Sequence, residues 1–214
     1  MAAAAAEDPF GTLRDALWIG GGQWAGKSTV ARILAYRHGI TAYHYDYHDA
    51  RGHYDRRLRR GEPEPDPEAQ WVHTTPLEMA ERSFASFRVR FEFTLDDLRA
   101  LVSPRPILAE GWGLRPELVA PLLTDVRRMV VMVPTDEFRE RQIHDMPRAA
   151  RVGHQVSDPE RAQRNRLLRD QLIATDAVRA AHQYGMRVIE VDGSVDAEGV
   201  ADIVAGCFQP FLAP

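Results

Sequence analysis

The chain has 214 residues, of which 44% are hydrophobic and 27% are charged, and its net charge is −4. This length predicts one domain with a small insertion, and no apolar run approaches the ~20 residues of a membrane span, so no membrane contact is expected. The acidic balance argues against a general nucleic-acid binder. The single cysteine, Cys207, rules out a disulfide within the chain, which is typical of the cytoplasm.

The first twelve residues predict a flexible tail. They are mostly small, and they have neither the basic start nor the long apolar core of a signal peptide. We therefore expect a tail over residues 1–12 and one domain over residues 13–214.

A strand predicted at about residues 15–19 leads into the sequence GGGQWAGKST at residues 20–29. This stretch contains the full GxxxxGK[ST] pattern of a phosphate-binding loop, and the apolar spacing after it predicts a helix that ends at Gly39. Glycines let backbone N–H groups converge on phosphate oxygens, the chain's only lysine can reach the β- and γ-phosphates, and the serine hydroxyl can ligate Mg²⁺. The pattern predicts that ATP and Mg²⁺ are bound by Gly21, Gly22, Gln23, Trp24, Ala25, Gly26, Lys27, Ser28 and Thr29.

The second predicted strand, at about residues 41–45, opens the sequence TAYHYDYHDA. Alternation along a strand would place His44, Asp46 and His48 on one side and three tyrosines on the other. The first three side chains have the spacing of metal ligands, so a zinc site is one interpretation, and a polar strand end beside the phosphate loop is the other. The tyrosines indicate strand packing, with base stacking as the alternative.

Segment 50–104 separates the second predicted strand from the third. Its sequence Thr-Pro-Leu-Glu at 75–78 is a capping box with proline at the first helical position, which predicts a helix. The inward face of this helix is predicted to consist of Leu77, Ala80, Phe84, Phe87 and Phe91. Earlier in the segment, Arg51, Arg56 and Arg57 either hold an anionic acceptor or form a solvated basic turn that faces an acidic linker.

Three further apolar strands are predicted at about residues 106–110, 129–134 and 187–191, with helical stretches between the strands. A second capping box at 157–160 predicts that a long helix follows a loop at 147–156. Right-handed crossovers between five such strands predict a parallel sheet. Ligands of such sheets bind at the carboxyl ends of the strands, where the phosphate loop and Asp46 are expected to lie.

The order of these segments resembles the P-loop kinases of the nucleoside monophosphate kinase type, which include adenylate, shikimate and gluconate kinases and chloramphenicol phosphotransferase. Uncharacterised bacterial P-loop proteins with the same order are the most similar. The likeness rests on the phosphate loop, on PILAEGWGLR at 106–115, where Glu110 replaces an aspartate and Arg115 is displaced, and on VIEVDGS at 188–194. The resemblance implies a three-layer α/β P-loop NTPase fold. Its five-stranded parallel sheet would have helices on both faces, an acceptor-binding helical insert at 50–104 and a lid at 147–160.

The same resemblance implies roles for single residues. Asp46 takes the place of the carboxylate that orients the acceptor hydroxyl and accepts its proton. Glu110 and Trp112 lie where the acceptor binds, and Glu110 can also ligate Mg²⁺ through water. The loop with Gly193 and Ser194 passes the adenine base. The arginines implied to close over the phosphoryl group are Arg148 and Arg151 of the lid, with Arg164 or Arg166 of the following helix.

These observations predict an enzyme, a P-loop kinase that transfers the γ-phosphoryl group of ATP to a hydroxyl group of an antibiotic, sugar or nucleoside. The alternative is a nucleotide-binding ATPase or regulator without a metabolite acceptor, although the sequence has no recognisable switch motif. The identity of the acceptor, the choice between ATP and GTP and the oligomeric state stay open. The expected partner is a small-molecule acceptor in the cytoplasm, without nucleic acid or membrane.

Overall fold

One parallel sheet forms the centre of the computed structural model, which describes residues 8–146 and 156–212. Its strands are β1 (Leu17–Gly21), β2 (Thr41–His44), β3 (Ile107–Glu110), β4 (Met129–Pro134) and β5 (Arg187–Val191). They lie in the order β2-β3-β1-β4-β5, and every neighbouring pair is parallel. The three central strands are buried almost throughout, as expected for a parallel sheet that is covered on both faces. The predicted five-stranded parallel sheet is confirmed.

Helices account for most of the rest of the described chain. They are α1 (Thr12–Asp15), α2 (Lys27–His38), α3 (Tyr45–His48), α4 (Tyr54–Arg59), α5 (Pro76–Arg99), α6 (Pro116–Val119), α7 (Asp136–Asp145), α8 (Pro159–Gln183) and α9 (Ala197–Leu212). Short π-helical turns lie at Asp49–His53 and Ala69–His73, and 3-10 turns at Ala120–Leu122 and Val126–Arg128. Within the described ranges, no helix is both long enough and apolar enough to cross a membrane.

The alternation of β1 divides the core between two layers of helices. Leu17 and Ile19 pack on the side of α2 and α9, together with Val204 and Phe208. Trp18 points to the other side, where α5 and α8 cover the sheet, and its ring lies 6.1 Å from that of Phe91. Full burial of a large apolar side chain contributes about 1.5–3 kcal/mol to stability. Because side chains of β1 are buried on both faces of the sheet, this strand stabilises both helical layers. The three-layer α/β architecture is confirmed.

The insert between β2 and β3 is largely helical, and α5 is its longest element. Thr75 and Glu78 form the predicted capping box, with Pro76 in the first turn. Of the predicted inward face, Ala80, Phe87 and Phe91 are buried and Phe84 is half-buried. The prediction is wrong for Leu77, which is 58% exposed, because the buried stripe of α5 begins only with Met79 and Ala80.

The predicted capping box of α8 is wrong by one residue. Its N-cap is Asp158, whose carboxylate accepts the N–H group of Arg161 at 2.9 Å. Proline favours the first helical position, so Pro159 makes the residue before it the cap. Ser157 instead contacts Glu68, with its N–H group donated at 2.9 Å and its hydroxyl donated to the same carboxylate.

The two chain segments expected to be loosest are described only in part. Residues 8–12 of the predicted tail lead directly into α1, and the carboxylate of Asp8 accepts N–H groups from Leu13 and Arg14. Of the predicted lid at 147–160, only residues 156–160 are described. Arg148 and Arg151 therefore lie outside the described residues.

Candidate active site

The phosphate loop leaves the end of β1 through glycine. Gly21 has φ 113°, and a Cβ atom there would collide with the carbonyl of Met132 on β4. The N–H group of Gly22 donates to that same carbonyl at 2.9 Å, so the close approach is part of the turn. Only glycine can occupy this position without a clash. Trp24, with φ 70°, also has positive φ, which is uncommon outside glycine and typical of functional loops.

Lys27 and Ser28 begin helix α2 directly after the loop, with Gly26 (φ 76°) as the N-cap. Lys27 is only 5% exposed, and its ammonium group folds back to donate to the carbonyl of Gly22 at 2.5 Å. The N-terminus of a helix favours an anion, because its first N–H groups are not all used within the helix. The helix ends at Gly39 in the left-handed conformation, as predicted.

Residues from three parts of the fold surround the cavity above this loop. The loop and α2 form one wall, Asp46 of α3 a second, and Arg166 of α8 the third. The guanidinium group of Arg166 lies 5.5 Å from the ring of Trp24. The lining residues are Gln23, Trp24, Gly26, Lys27, Ser28, Thr29, Arg32, Asp46 and Arg166. We refer to this space as the phosphate cavity.

Asp46 reaches the phosphate cavity from a helix rather than from a strand. β2 ends at His44 and α3 begins at Tyr45, so the predicted alternation does not continue through Asp46 and His48. The carboxylate accepts the N–H group of Trp112 at 3.3 Å. Burial raises the pKa of Asp46 to about 6, since the nearby ammonium of Lys27 lowers it by less. The charge of Glu110 raises it further.

The loop after β3 approaches α3 so closely that it depends on glycine. A Cβ atom on Gly111 would lie 2.5 Å from the Cβ of Tyr45 and 3.0 Å from a carboxylate oxygen of Asp46. A Cβ atom on Gly113 would collide with the buried ring of Tyr45. The glycines of the sequence EGWG thus hold the N–H group of Trp112 at Asp46.

His44 of β2 pairs with Glu110 of the neighbouring strand β3. His44 lies two residues before Asp46. Nδ1 of His44 lies 2.7 Å from Oε1 of Glu110, and this hydrogen bond raises the pKa of His44. Glu110 is 1% exposed, and its other oxygen has no hydrogen-bond partner among residues 8–146 and 156–212. His48 turns away and stacks on Tyr43, with ring centroids 4.4 Å apart.

The zinc interpretation finds no support in this geometry. Among the described residues, no three side chains of His, Cys, Asp and Glu are grouped so that they can hold a metal ion. His44 and His48 contact Glu110 and Tyr43 respectively, and their ring contacts do not converge with Asp46. Tyr43 and Tyr45 are buried, in agreement with strand and core packing, whereas Tyr47 is 58% exposed.

A second, mainly apolar cavity lies beside the phosphate loop, near the carboxyl end of β5. Gly193 lies at its edge with φ 80°, and a Cβ atom there would lie 2.8 Å from the ring of Phe138. The carboxylate of Asp192 accepts the N–H group of Ser194 at 2.8 Å, which fixes the turn. The lining residues are Trp24, Ala25, Gly26, Thr29, Val30, Phe138, Gln142, Met146, Val191, Gly193, Val195, Asp196, Ala197 and Val200. We refer to this space as the base cavity.

No protein-family model matches the sequence, and no curated protein matches it. Among solved structures, shikimate kinase from Acinetobacter baumannii in complex with shikimate aligns over 97% of this chain and 99% of its own, with 20% identity and a TM-score of 0.50. The chain therefore has the same α/β fold as this shikimate kinase. A gluconokinase from Sinorhizobium meliloti aligns over 92% of this chain and 93% of its own, with 15% identity and a TM-score of 0.44.

Within this fold, the arginines at the start of the insert contact neighbouring side chains of the insert. Arg51 stacks on the ring of Tyr47 at 3.9 Å, near the surface. Arg57 is buried and donates to Asp49 at 2.8 Å. Arg56 pairs with two acidic residues of α5, Asp96 and Asp97. Arg57 also lies 3.4 Å from Glu62 of the acidic linker.

Arg115 supports the fold from a buried position. It is 1% exposed, donates to the carbonyl of Ile173 at 3.2 Å, and pairs with Asp176 and Glu117. These contacts tie the loop before α6 to α8. At its displaced position in the sequence PILAEGWGLR, this arginine therefore has contacts that stabilise the fold.

Three further arginines face cavities of this fold. The resemblance implied Arg166, whereas no motif in the sequence indicates Arg32 or Arg169. Arg32 and Arg166 line the phosphate cavity. Arg169 is 9% exposed, and its guanidinium group lies between the rings of Trp71 and Trp112, at 5.2 Å and 5.1 Å. Arg166 and Arg169 follow each other by one helical turn on α8, a spacing that places two residues on one face. This spacing was the available signal in an arginine-rich sequence.

Proposed function

We propose that this protein is a kinase that transfers the γ-phosphoryl group of ATP to a hydroxyl group of a small molecule in the cytoplasm. One observation carries the proposal: a carboxylate with a raised pKa, Asp46, lines the same cavity as the lysine and serine of a phosphate-binding loop. A loop that only binds nucleotide does not need such a carboxylate. A phosphotransferase needs one at this point, to receive the acceptor hydroxyl.

The nucleotide in this proposal spans the two cavities. Its β- and γ-phosphates lie over residues 21–29, where Lys27 supplies a compact positive charge in a nearly water-free position. Its base lies in the base cavity between Phe138 and the loop with Gly193 and Ser194, whose lining is largely apolar. The close contact at Gly193 leaves this edge of the cavity no room for a larger side chain.

The residues present fit a magnesium ion. Mg²⁺ keeps most of its waters and uses one or two protein oxygens together with substrate phosphates, so no dense cluster of carboxylates is required. Ser28 offers an exposed hydroxyl in the phosphate cavity. Glu110 offers a buried oxygen without a hydrogen-bond partner in the described part of the chain. When bound, the ion would neutralise charge that builds up between the β- and γ-phosphates.

Asp46 acts in this proposal as the group that orients the acceptor and takes its proton. The hydroxyl oxygen forms a bond to the γ-phosphorus, the bond to the β-phosphate oxygen breaks, and the hydroxyl proton passes to the carboxylate. A pKa of about 6 suits the task, because the group is mostly ionised at neutral pH and is a stronger base than an ordinary aspartate. The N–H group of Trp112 holds the carboxylate in place.

Arginines from α8 and the lid complete the proposed site. Arg166 already lines the phosphate cavity and lies against Trp24, so it can meet charge on the transferring group. Arg148 and Arg151, outside the described residues, are proposed to join it from the lid. Arg164 points outward, with its side chain 64% exposed near Glu160, and is not assigned a role.

A product analysis tests the proposal. The protein is incubated with ATP, Mg²⁺ and a pool of small metabolites, and a kinase yields a product heavier by one phosphate group. A nucleotide-dependent regulator yields ADP at most, with no phosphorylated metabolite. Formation of ADP alone, in a pool that covers alcohols of all common classes, would contradict the assignment as a kinase.

The substitution Asp46→Asn tests the base directly, because it keeps the shape of the side chain but cannot accept the proton. We expect turnover to fall by roughly 10²–10⁴-fold, with little change in the affinity for an ATP analogue. If Asp46 mainly helps to bind Mg²⁺, the variant binds the analogue more weakly, and high Mg²⁺ restores part of the affinity. Turnover and analogue affinity across a Mg²⁺ series separate the two roles, and wild-type turnover would exclude both.

A further inference from the structure

A third cavity lies between α5, the π-helical turn at Ala69–His73 and α8, and only arginines among its lining residues carry charge. Its volume is about 230 Å³. The lining residues are Gln70, Trp71, Thr74, Met79, Arg82, Ser83, Ser86, Arg90 and Arg169. A cavity lined by three arginines and no carboxylate attracts an anion. We refer to it as the arginine cavity.

The carboxylates around the arginine cavity do not neutralise its charge. Asp49 pairs with Arg90 at 3.1 Å, but it also pairs with Arg57 at 2.8 Å. Asp170 is likewise shared, because it accepts from Arg169 at 2.5 Å and lies 4.0 Å from Arg166. Arg57 also lies 3.4 Å from Glu62, so Asp49 and Glu62 together balance Arg57 and Arg90. Arg166 and Arg169 share the single carboxylate of Asp170, so the cavity keeps an excess of positive charge.

Unused donors in the arginine cavity also point to an anionic ligand. Nε of Arg90 is buried and has no hydrogen-bond partner within the described ranges of the chain. Arg82 donates to the hydroxyl of Thr74 at 3.2 Å. This acceptor is neutral, so the contact does not balance the positive charge of Arg82. A bound carboxylate or phosphate oxygen would supply the charged acceptor that the contact of Arg82 with Thr74 does not.

Trp112 and one turn of α8 place the arginine cavity beside the phosphate cavity. Trp112 donates its N–H group to Asp46, and its ring lies against Arg169 of the arginine cavity. On α8, Arg166 lines the phosphate cavity and Arg169, one helical turn later, lines the arginine cavity. A molecule held by its anionic end among the arginines can therefore direct another group toward Asp46.

We infer that the acceptor of the proposed kinase carries a carboxylate or phosphate group, and that Arg82 and Arg90 bind this group. The inference rests on the proposed function. Arginine binds both kinds of anion through two parallel N–H donors, so the chemistry of the cavity is the same for the two. Ser83 and Ser86 donate their hydroxyl protons to helix carbonyls, which leaves their oxygens able to accept from hydroxyl groups of the same acceptor.

The first experiment divides a metabolite pool by charge. Anion exchange separates the pool into an anionic and an uncharged fraction, and each is incubated with the protein, ATP and Mg²⁺. We expect the product that is heavier by one phosphate group to form only in the anionic fraction. Prior treatment of that fraction with phosphatase removes a phosphate-bearing acceptor and spares a carboxylate-bearing one, so it identifies the source of the anion.

The second experiment uses the acceptor that the first identifies. Arg82→Gln, at an exposed position, should raise the KM for the acceptor by roughly 10–100-fold and leave the KM for ATP unchanged, because a charge-assisted hydrogen bond is lost. Arg82→Lys keeps the positive charge but loses the two parallel N–H donors. Its KM for the acceptor should lie between those of the wild type and Arg82→Gln. Arg88→Gln, on the same helix but outside the arginine cavity, is the matched control and should behave as wild type.

The outcomes separate this inference from the proposed function. Phosphorylation confined to the uncharged fraction would overturn the anionic acceptor while the kinase assignment stands. Equal KM values for Arg82→Gln and Arg88→Gln would overturn the role of Arg82 in the same way. No product in either fraction, from protein that binds an ATP analogue, would overturn the kinase assignment and the anionic acceptor with it.

Discussion

The phosphate loop and the arginine cavity are built in opposite ways. The loop is nine consecutive residues, and the ammonium of Lys27 bonds to Gly22, five positions earlier. The arginine cavity combines residues 70–90 with Arg169, and Asn165 of α8 donates to the carbonyl of Trp71, 94 positions away. A site formed by one turn is specified by its local sequence. A site formed between distant helices depends on how those helices pack.

Two aspartates one helical turn apart express the same contrast. Asp46 lines the phosphate cavity, and its carboxylate accepts the backbone N–H group of Trp112 at 3.3 Å. Asp49 is 8% exposed and is held between Arg57 and Arg90. We interpret Asp46 as a group kept available for chemistry and Asp49 as a group that holds α4 to α5. The predictions below test this division.

The largest effect is expected at Lys27. Lys27→Ala should lower turnover by roughly 10³-fold or more, because the charge of the β- and γ-phosphates is no longer met inside a nearly water-free loop. Lys27→Arg should also be severely impaired, since a planar fork does not replace a compact ammonium group. Steady-state kinetics with the acceptor pool measure both variants.

Arg37→Gln is the matched control for Lys27, since Arg37 lies on the same helix and pairs at the surface with Glu198 and Asp202. It should retain turnover. Circular dichroism melting curves should show that all three variants are folded. Near-normal turnover of either Lys27 variant would remove the phosphate loop from the mechanism.

The contrast between the two regions also explains what the sequence could predict. The strands, the helix that follows the glycine-rich loop and the capping box at Thr75 depend on local patterns, and the structure confirms them. Phosphate binding by the loop stays a prediction. Two errors came from competing local rules: Pro159 moved the cap of α8, and β2 ended before Asp46. The lid arginines and the nucleotide contacts of Gly193 and Ser194 stay predictions.

The acceptor region was harder to predict because arginine supplies nearly all the positive charge of this chain. The sequence left Arg51, Arg56 and Arg57 open either as anion binders or as a solvated basic turn, since they lie close together in the insert. Arg57 and Arg56 instead form ion pairs within the insert and with α5. Arg82 and Arg169 are 87 positions apart and share a cavity only after folding, so no spacing in the sequence relates them.

A smaller effect, on stability rather than turnover, is expected at Asp49. Asp49→Ala leaves the buried Arg57 and the half-buried Arg90 without their carboxylate, which should lower the free energy of unfolding by about 3–5 kcal/mol. Urea unfolding followed by circular dichroism measures the change. Asp55→Ala, at an exposed position on α4, is the control and should change the free energy of unfolding by less than about 0.5 kcal/mol.

The affinity for an ATP analogue provides the second readout for Asp49. If Asp49 is structural, Asp49→Ala binds the analogue and Mg²⁺ with wild-type affinity under conditions where it remains folded. A stable Asp49→Ala variant with weakened Mg²⁺-dependent binding would instead place Asp49 in the metal site and remove the division between the two aspartates.

The smallest effect should be a gain in stability at Asp46. Burial raises the pKa of this carboxyl from its ordinary value to about 6, so the folded protein holds a proton between about pH 4 and 6 that the unfolded chain releases. The free energy of unfolding of the wild type therefore falls across this window as pH rises, relative to a variant that cannot ionise. Some solvent exposure of Asp46 screens its charge and reduces the difference.

Asp46→Asn should accordingly be more stable than the wild type at about pH 7, by roughly 1–3 kcal/mol, and the two should converge below about pH 4. Urea unfolding at a series of pH values measures this difference, and the same variant has lost turnover. Asp49→Asn serves as the comparison, because removing the charge of an ion-paired aspartate should lower stability at neutral pH. If Asp46→Asn showed no gain at any pH, the carboxylate would carry no cost in the folded state. Asp46 would then belong with Asp49 among the groups that hold the fold together.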